Sequence, residues 1–205
     1  MLVFTHPACL QHDPGRGHPE CPARLQGVLD ALKAAYPDQL DWREAPPAKL
    51  GELARVHDSE LIDLVLKPQS EPLRLIDMDT MTSPGSASAA LHAAGAGVAA
   101  VDAVMLGEDP VAFCAVRPPG HHASANTAMG FCLFNNIAIA AAYARDRYGL
   151  ERIAIVDFDV HHGNGTQDIF WADDSVMYAS THEMPLYPGT GAGNETGAAG
   201  TIVNA

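Results

Sequence analysis

An aliphatic run, RIAIV at 152–156, stops abruptly at DFDVHHGNGTQ, 157–167, where two aspartates and two histidines fall within six positions and glycine follows. The run is β-branched and aliphatic, so it reads as a buried parallel strand. Ionisable side chains at the exit of such a strand are costly unless they bind something. A chain built this way is directed toward an open α/β architecture, in which sites lie at the carboxyl ends of strands.

The rest of the chain alternates accordingly. LVFTH at 2–6, VAFCAV at 111–116 and SVMYAST at 175–181 read as further strands. Residues 23–36 have helical periodicity with Leu25, Val28, Leu29 and Leu32 on one face. Residues 49–67 predict one or two short helices with Asp58 as N-cap, and Ser86 is placed to cap an Ala-rich helix reaching about Leu106. A helix follows in NNIAIAAAYARDRYG, stopped by Gly149 and capped by Asn135 or Asn136, and another lies near 166–172. DMDTMTSPGS at 77–86 and the Gly-rich stretch from Tyr187 to Gly200 read as loops. The expected class is α/β, a mainly parallel sheet with helices on both faces.

With 12 Lys+Arg against 25 Asp+Glu, a net charge of -13, the surface disfavours nucleic acid and favours cationic ligands. Cys9, Cys21, Cys114 and Cys132 form no C-x-x-C pair. Reduced thiols in a cytoplasmic protein are therefore expected. The N-terminus lacks the pattern of a signal peptide, and the apolar stretch Ala89–Leu106, broken by His92 and Asp102, reads as a buried helix and not a membrane span.

Three strand exits carry polar clusters: His121 and His122 after 111–116; Asp157, Asp159, His161 and His162 after 152–156; Ser180, Thr181 and His182 after 175–181. In an extended segment Asp157, Asp159 and His161 share one side, and Phe158, Val160 and His162 the other. Asp159 and His161 then suit a zinc ion as an O/N pair, or form a plain carboxylate–histidine hydrogen bond. RPPGHHA at 117–123 is a stiff loop presenting adjacent histidines, which can serve as a general base and its electrostatic partner or as a structural pair. Phe131 in GFCLFNN either lines an apolar channel or packs in the core.

HPECPARL (18–25), DTMTSPGS (79–86), RPPGHHA (117–123), GFCLFNN (130–136), DFDVHHGNGTQ (157–167) and YPGTGAGNETGAAGTIVN (187–204) occur in order along nearly the whole chain. Together they resemble the histone deacetylase family, in the branch of bacterial histone-deacetylase-like amidohydrolases and acetylpolyamine amidohydrolases. The resemblance implies a three-layer α/β/α arginase–deacetylase fold. It implies zinc-dependent hydrolysis of N-acyl amines such as acetyl-lysine or acetylpolyamine.

By motif position, the resemblance assigns Asp159 and His161 as ligands of a single Zn2+, His122 as general base and acid, and His121 as its electrostatic neighbour. Asp157 then supports His121. Asn164 stands behind His122, and an uncharged amide there leaves His122 less basic than in relatives that carry aspartate. Phe131, Gly130 and Tyr187 belong to the substrate channel, with Asp79 on its rim. Structural K+ is implied at Asp157, Asp159, His161, Ser180 and Thr181, and again near Phe170, Asp173 and Val176. The implied partner is a small-molecule or peptide acyl-amine, with no direct nucleic acid or membrane contact; homo-oligomerisation is left open.

The family's third zinc ligand and transition-state tyrosine fall beyond the TIVN segment. The expectation is therefore that residues 1–205 form the N-terminal portion of one deacetylase catalytic domain and are inactive alone. An arginase-like site would need a carboxylate where this chain has Gly163. A non-catalytic scaffold or acyl-lysine binder is the remaining alternative.

Overall fold

Leu2, Val3 and Phe4 send alternate side chains to two different helices, which defines the layers. The computed structural model describes residues 1–205. Strand β1 (Leu2–Thr5) lies between β2 (Asp41–Glu44) and β5 (Ala112–Cys114), parallel to both. Leu2 and Phe4 pack with Ala96 and Ala103 of α4 (Ser86–Met105). Val3 and Ala115 pack with Leu25 and Leu29 of α1 (Pro22–Ala35) on the opposite face. The period-two alternation of a strand thus builds a helix–sheet–helix sandwich. Val28, expected on the buried face of α1, is exposed instead.

The second half repeats the parallel pattern. Strand β6 (Ile153–Asp157) pairs with β7 (Val176–Ser180), which pairs with β8 (Ile202–Asn204). The main core lies between these strands and four helices: α2 (Leu50–Leu53), α3 (Ser59–Leu66), α4 and α5 (Asn136–Tyr148). Leu53, Leu61, Leu133, Phe134, Ile139 and Tyr178 are among its fully buried members. Helices α4 and α5 meet closely because their contact is built from small residues; a Cβ on Gly97 would stand 3.1 Å from Ala140 Cβ. Asp102, the acid within the Ala-rich stretch, accepts hydrogen bonds from Tyr143 and Tyr148, both at 2.8 Å. Helix α4 is long and apolar enough to cross a membrane, yet it packs on β1, β5 and α5.

Several expectations need correction. The strand at 152–156 is not buried on both faces: Ile155 packs in the core, while Val156, on the opposite face, is 66% exposed. The 77–86 loop contains strand β4 (Thr80–Thr82), paired antiparallel with β3 (Arg74–Asp77). Ser86 does not cap α4. Gly85 occupies the cap position, and the Ser86 hydroxyl turns inward to His12 Nδ1 (2.7 Å) and the Ser83 N–H (2.7 Å). Asp58 sits at the N-cap of α3 without a side-chain capping bond. The cap of α5 falls to Asn135, whose side chain accepts from Ala138 N–H, and Gly149 ends the helix in the left-handed region. The helix expected at 166–172 is α6, Asn164–Ile169. Strands β2 and β8 are short, four and three residues, and carry no alternating apolar pattern that would announce them.

Candidate active site

The loops after β5 and β6 meet over one cleft of about 550 Å³, lined by His121, His122, Gly130, Phe131, Asp159, His161, Tyr187 and Asp79, together with Pro19, Arg24, Pro119 and Val160. Asp157 and Asn164 stand directly behind the two histidines. Ser180, Thr181, Phe170, Asp173 and Val176 do not line it.

Arg117 fixes the RPPGHH loop from below. Its guanidinium is buried and donates to both oxygens of Glu20, with Nε–Oε1 at 2.6 Å, and to the backbone oxygens of Cys9 (2.8 Å) and His12 (2.9 Å). A buried charge pair of this kind is tolerated because every polar atom finds a partner. It ties the histidine loop to the HPECP loop that contributes Pro19 and Arg24.

Both histidines are oriented from behind. His121 Nδ1 lies 2.9 Å from Asp157 Oδ2, and His122 Nδ1 lies 2.8 Å from Asn164 Oδ1. Asn164 Nδ2 points to Met129 Sδ, which leaves its oxygen facing the ring, so His122 Nδ1 carries the hydrogen. Neither Nε2 has a protein partner, and both residues line the cleft. The rings tilt against each other at 4.0 Å. Burial lowers the His122 pKa to about 4, and the neighbouring His121 pushes the same way. Burial pulls the Asp157 carboxyl upward, but hydrogen bonds from His121, the Asp159 N–H and Tyr178 outweigh it and the net direction is down.

The segment after β6 does not continue as a strand. The N–H of Asp159 donates to Asp157 Oδ1 (3.2 Å), and the N–H of His161 donates to Asp159 Oδ1 (2.8 Å), giving successive Asx turns. These turns, and not strand alternation, bring Asp159 and His161 to the cleft. His162 is turned away and buried, bonded to Thr190 Oγ1 (2.8 Å) and Gln167 Oε1 (3.0 Å).

Asp159 Oδ1 and His161 Nδ1 lie 3.2 Å apart. Two ligands at zinc bond lengths in a tetrahedral shell stand about 3.3 Å apart, so the pair fits one shared ion as well as it fits a hydrogen bond. No group of three or more His, Cys, Asp or Glu side chains converges. Gly163 is closely surrounded: a Cβ there would lie 2.4 Å from Asp157 Oδ2 and 2.4 Å from Tyr178 Oη. Asp157 and Ser180 are register partners on β6 and β7. Phe170, Asp173 and Val176 surround the turn after α6, where the Asp173 carboxylate is held by Ser175 and Arg145.

Tyr187 presents its edge to His122 at 5.0 Å and to His161 at 6.3 Å. Phe131 is half-buried and meets the edge of His18 at 4.9 Å. Asp79 Oδ1 accepts the Gly130 N–H (3.1 Å) and so braces the channel loop. Arg24 belongs to the HPECPARL motif, but nothing in its local sequence marks it as lining the cleft. His18 and Thr80 support Phe131 through contacts 113 and 51 residues away in sequence, beyond any spacing rule.

Comparison with known proteins bears on the family and the fold. A histone deacetylase domain model matches residues 18–205. The chain is 41% identical over 199 residues to a probable deacetylase of Archaeoglobus fulgidus, covering 96% of this chain and 55% of that protein. It is 40% identical over 182 residues to a histone deacetylase-like amidohydrolase of Pseudomonas aeruginosa, covering 87% and 47%. Its fold superposes on the crystal structure of the HDA15 HD domain with a TM-score of 0.94 at 38% identity, over 100% of this chain and 62% of that one. The chain thus spans about half the length of these curated relatives. On the domain match, the ordered motifs and the superposed fold, the chain belongs to the histone deacetylase family.

Proposed function

We propose that this chain carries the histidine half of a zinc-dependent amidohydrolase site that removes acyl groups from N-acyl amines such as acetyl-lysine or acetylpolyamine. The observation that carries the reading is the pairing of two histidines, each tied at Nδ1 to an acceptor behind it and open at Nε2 to a cleft that also holds Asp159 and His161.

Asp159 and His161 would hold the zinc ion, which when bound polarises the acyl carbonyl and makes water more acidic. His122 is kept neutral by burial, so its Nε2 accepts the proton of the water that attacks the acyl carbon. The C–N bond then breaks, and the same nitrogen returns that proton to the leaving amine. Asn164 holds the ring in the tautomer this requires. His121, backed by the Asp157 carboxylate, offsets negative charge developing on the substrate. Phe131 and Tyr187 form apolar walls for the alkyl stem of the amine. Structural potassium at Asp157, Asp159, His161, Ser180 and Thr181, and near Phe170, Asp173 and Val176, belongs to the same proposal and rests on the family resemblance.

The test uses the full-length protein with a panel of acetylated lysine peptides and acetylpolyamines, following acetate release and metal content together. Release from one class identifies the substrate. Binding of the panel without release from any member would instead indicate an acyl-lysine reader.

A further inference from the structure

Phe131 is the one residue other than glycine with φ in the left-handed region, at 68°, and it follows Gly130 at 56°. A bulky aromatic residue adopts this backbone only where its surroundings impose it. The imposing groups lie on the β3–β4 hairpin. The Gly130 N–H donates to Asp79 Oδ1 (3.1 Å), the Phe131 N–H donates to Thr80 Oγ1 (3.0 Å), and the Thr80 hydroxyl donates to Asp79 Oδ1 (2.9 Å). Thr80 itself has no exposed surface. From the other side the His18 ring packs on Phe131 in a T-shaped pair. Its Nε2 donates to the Asp79 backbone oxygen (3.1 Å), and its Nδ1 accepts the Glu20 N–H (3.1 Å). The backbone held in this way is pressed on the proposed base: a Cβ at Gly130 would come within 2.4 Å of His122 Cδ2.

We propose that Thr80 is a positioning residue: its hydroxyl, bridging Asp79 and the Phe131 amide, locks residues 130–131 in the left-handed backbone that sets the Phe131 ring in the channel wall. The inference rests on the reading that this cleft takes the stem of an acylated amine. A hairpin threonine serving only the fold would need no bond to a residue 51 positions away in a strained conformation. Thr80 touches no substrate; it acts through Phe131.

The experiment is a double-mutant cycle in the full-length protein with an acetylated lysine peptide. Thr80→Val keeps the side-chain volume and removes the hydroxyl. It should raise KM about tenfold, equivalent to about 1.4 kcal/mol, and leave kcat within about twofold. In a Phe131→Ala background the same change should move KM less than about twofold, because the ring it positions is gone. Thr80→Ser should restore the wild-type KM. Full additivity in the cycle, or failure of serine to rescue, overturns the proposal.

Hydrogen exchange at the Phe131 amide needs no turnover. It should be slow in the wild type and in Thr80→Ser, and fast in Thr80→Val. If the wild type hydrolyses no acylated amine, the hydrolase reading fails while exchange still decides the positioning role; unchanged exchange in Thr80→Val rejects that role whatever the activity. If Thr80→Val does not fold, it is made in a Phe131→Gly background, where the left-handed backbone is unstrained. Recovery of folding there supports the clamp, and continued misfolding overturns it by showing that Thr80 serves the core.

Discussion

His122 Nδ1 and Asn164 Oδ1 stand 2.8 Å apart, and the amide orientation makes the ring nitrogen the donor. The lone pair on Nε2 is thereby committed to the cleft. Under the proposed mechanism this is the atom that moves the proton, so His122→Ala should lower kcat by roughly 10²-fold or more with bound zinc unchanged. Near-wild-type turnover would remove His122 from the mechanism.

The same contact predicts a response to charge. Asn164→Asp places a carboxylate against Nδ1 and stabilises the imidazolium, raising the His122 pKa. The acidic limb of the kcat/KM profile should then move to higher pH. A profile that stays in place, with the variant folded, would show that His122 does not set that limb.

Asp159 and His162 test the metal assignment from opposite sides of the turn. Asp159→Ala should strip zinc from the purified protein, read by elemental analysis. His162→Ala should leave zinc stoichiometric. It should lower stability by about 1–3 kcal/mol, because it removes the buried bonds that His162 makes to Thr190 Oγ1 and Gln167 Oε1. The reverse pattern of zinc loss would reassign the ligands.

Acid stability should be governed in part by His12. Burial lowers its pKa from 6.5 to about 4; Glu20 pulls upward, and Arg117 and His18 add to the lowering. The nearby Glu20 does not win, because the cost of charging a fully buried ring is larger than its pull. Between those pH values the unfolded chain binds more protons than the folded one. Stability is thus fully present above about pH 6.5, falls as pH drops, and levels off below about pH 4, a loss of roughly 3 kcal/mol. His57, lowered by burial, moves in the same direction. Urea titrations at about pH 7.5 and about pH 4 should show a smaller difference for His12→Gln than for the wild type, and equal differences would refute the assignment.

The sequence by itself determined the class of fold and the ionisable and aromatic core of the cleft, though not Arg24. Alternating apolar runs and helical periodicities specify a parallel α/β sandwich, because each pattern can bury its apolar face in only one way. Polar residues at the exits of those runs mark strand ends, where His121, His122, Asp159 and His161 indeed meet. The one-sided burial of β6 was not legible, since the elements packed on each face of the sheet, and not the strand's composition, decide which face is covered. Nor were the Asx turns at 157–161, which achieve by local hydrogen bonds what strand alternation had been expected to do. Only the tertiary structure decided which acceptor stands behind each histidine ring in space and how Thr80 and His18 hold Phe131. Those relations join residues 36, 42, 51 and 113 positions apart. A hydrogen bond at that separation leaves no periodic trace in the chain and exists only once the core has brought its ends together.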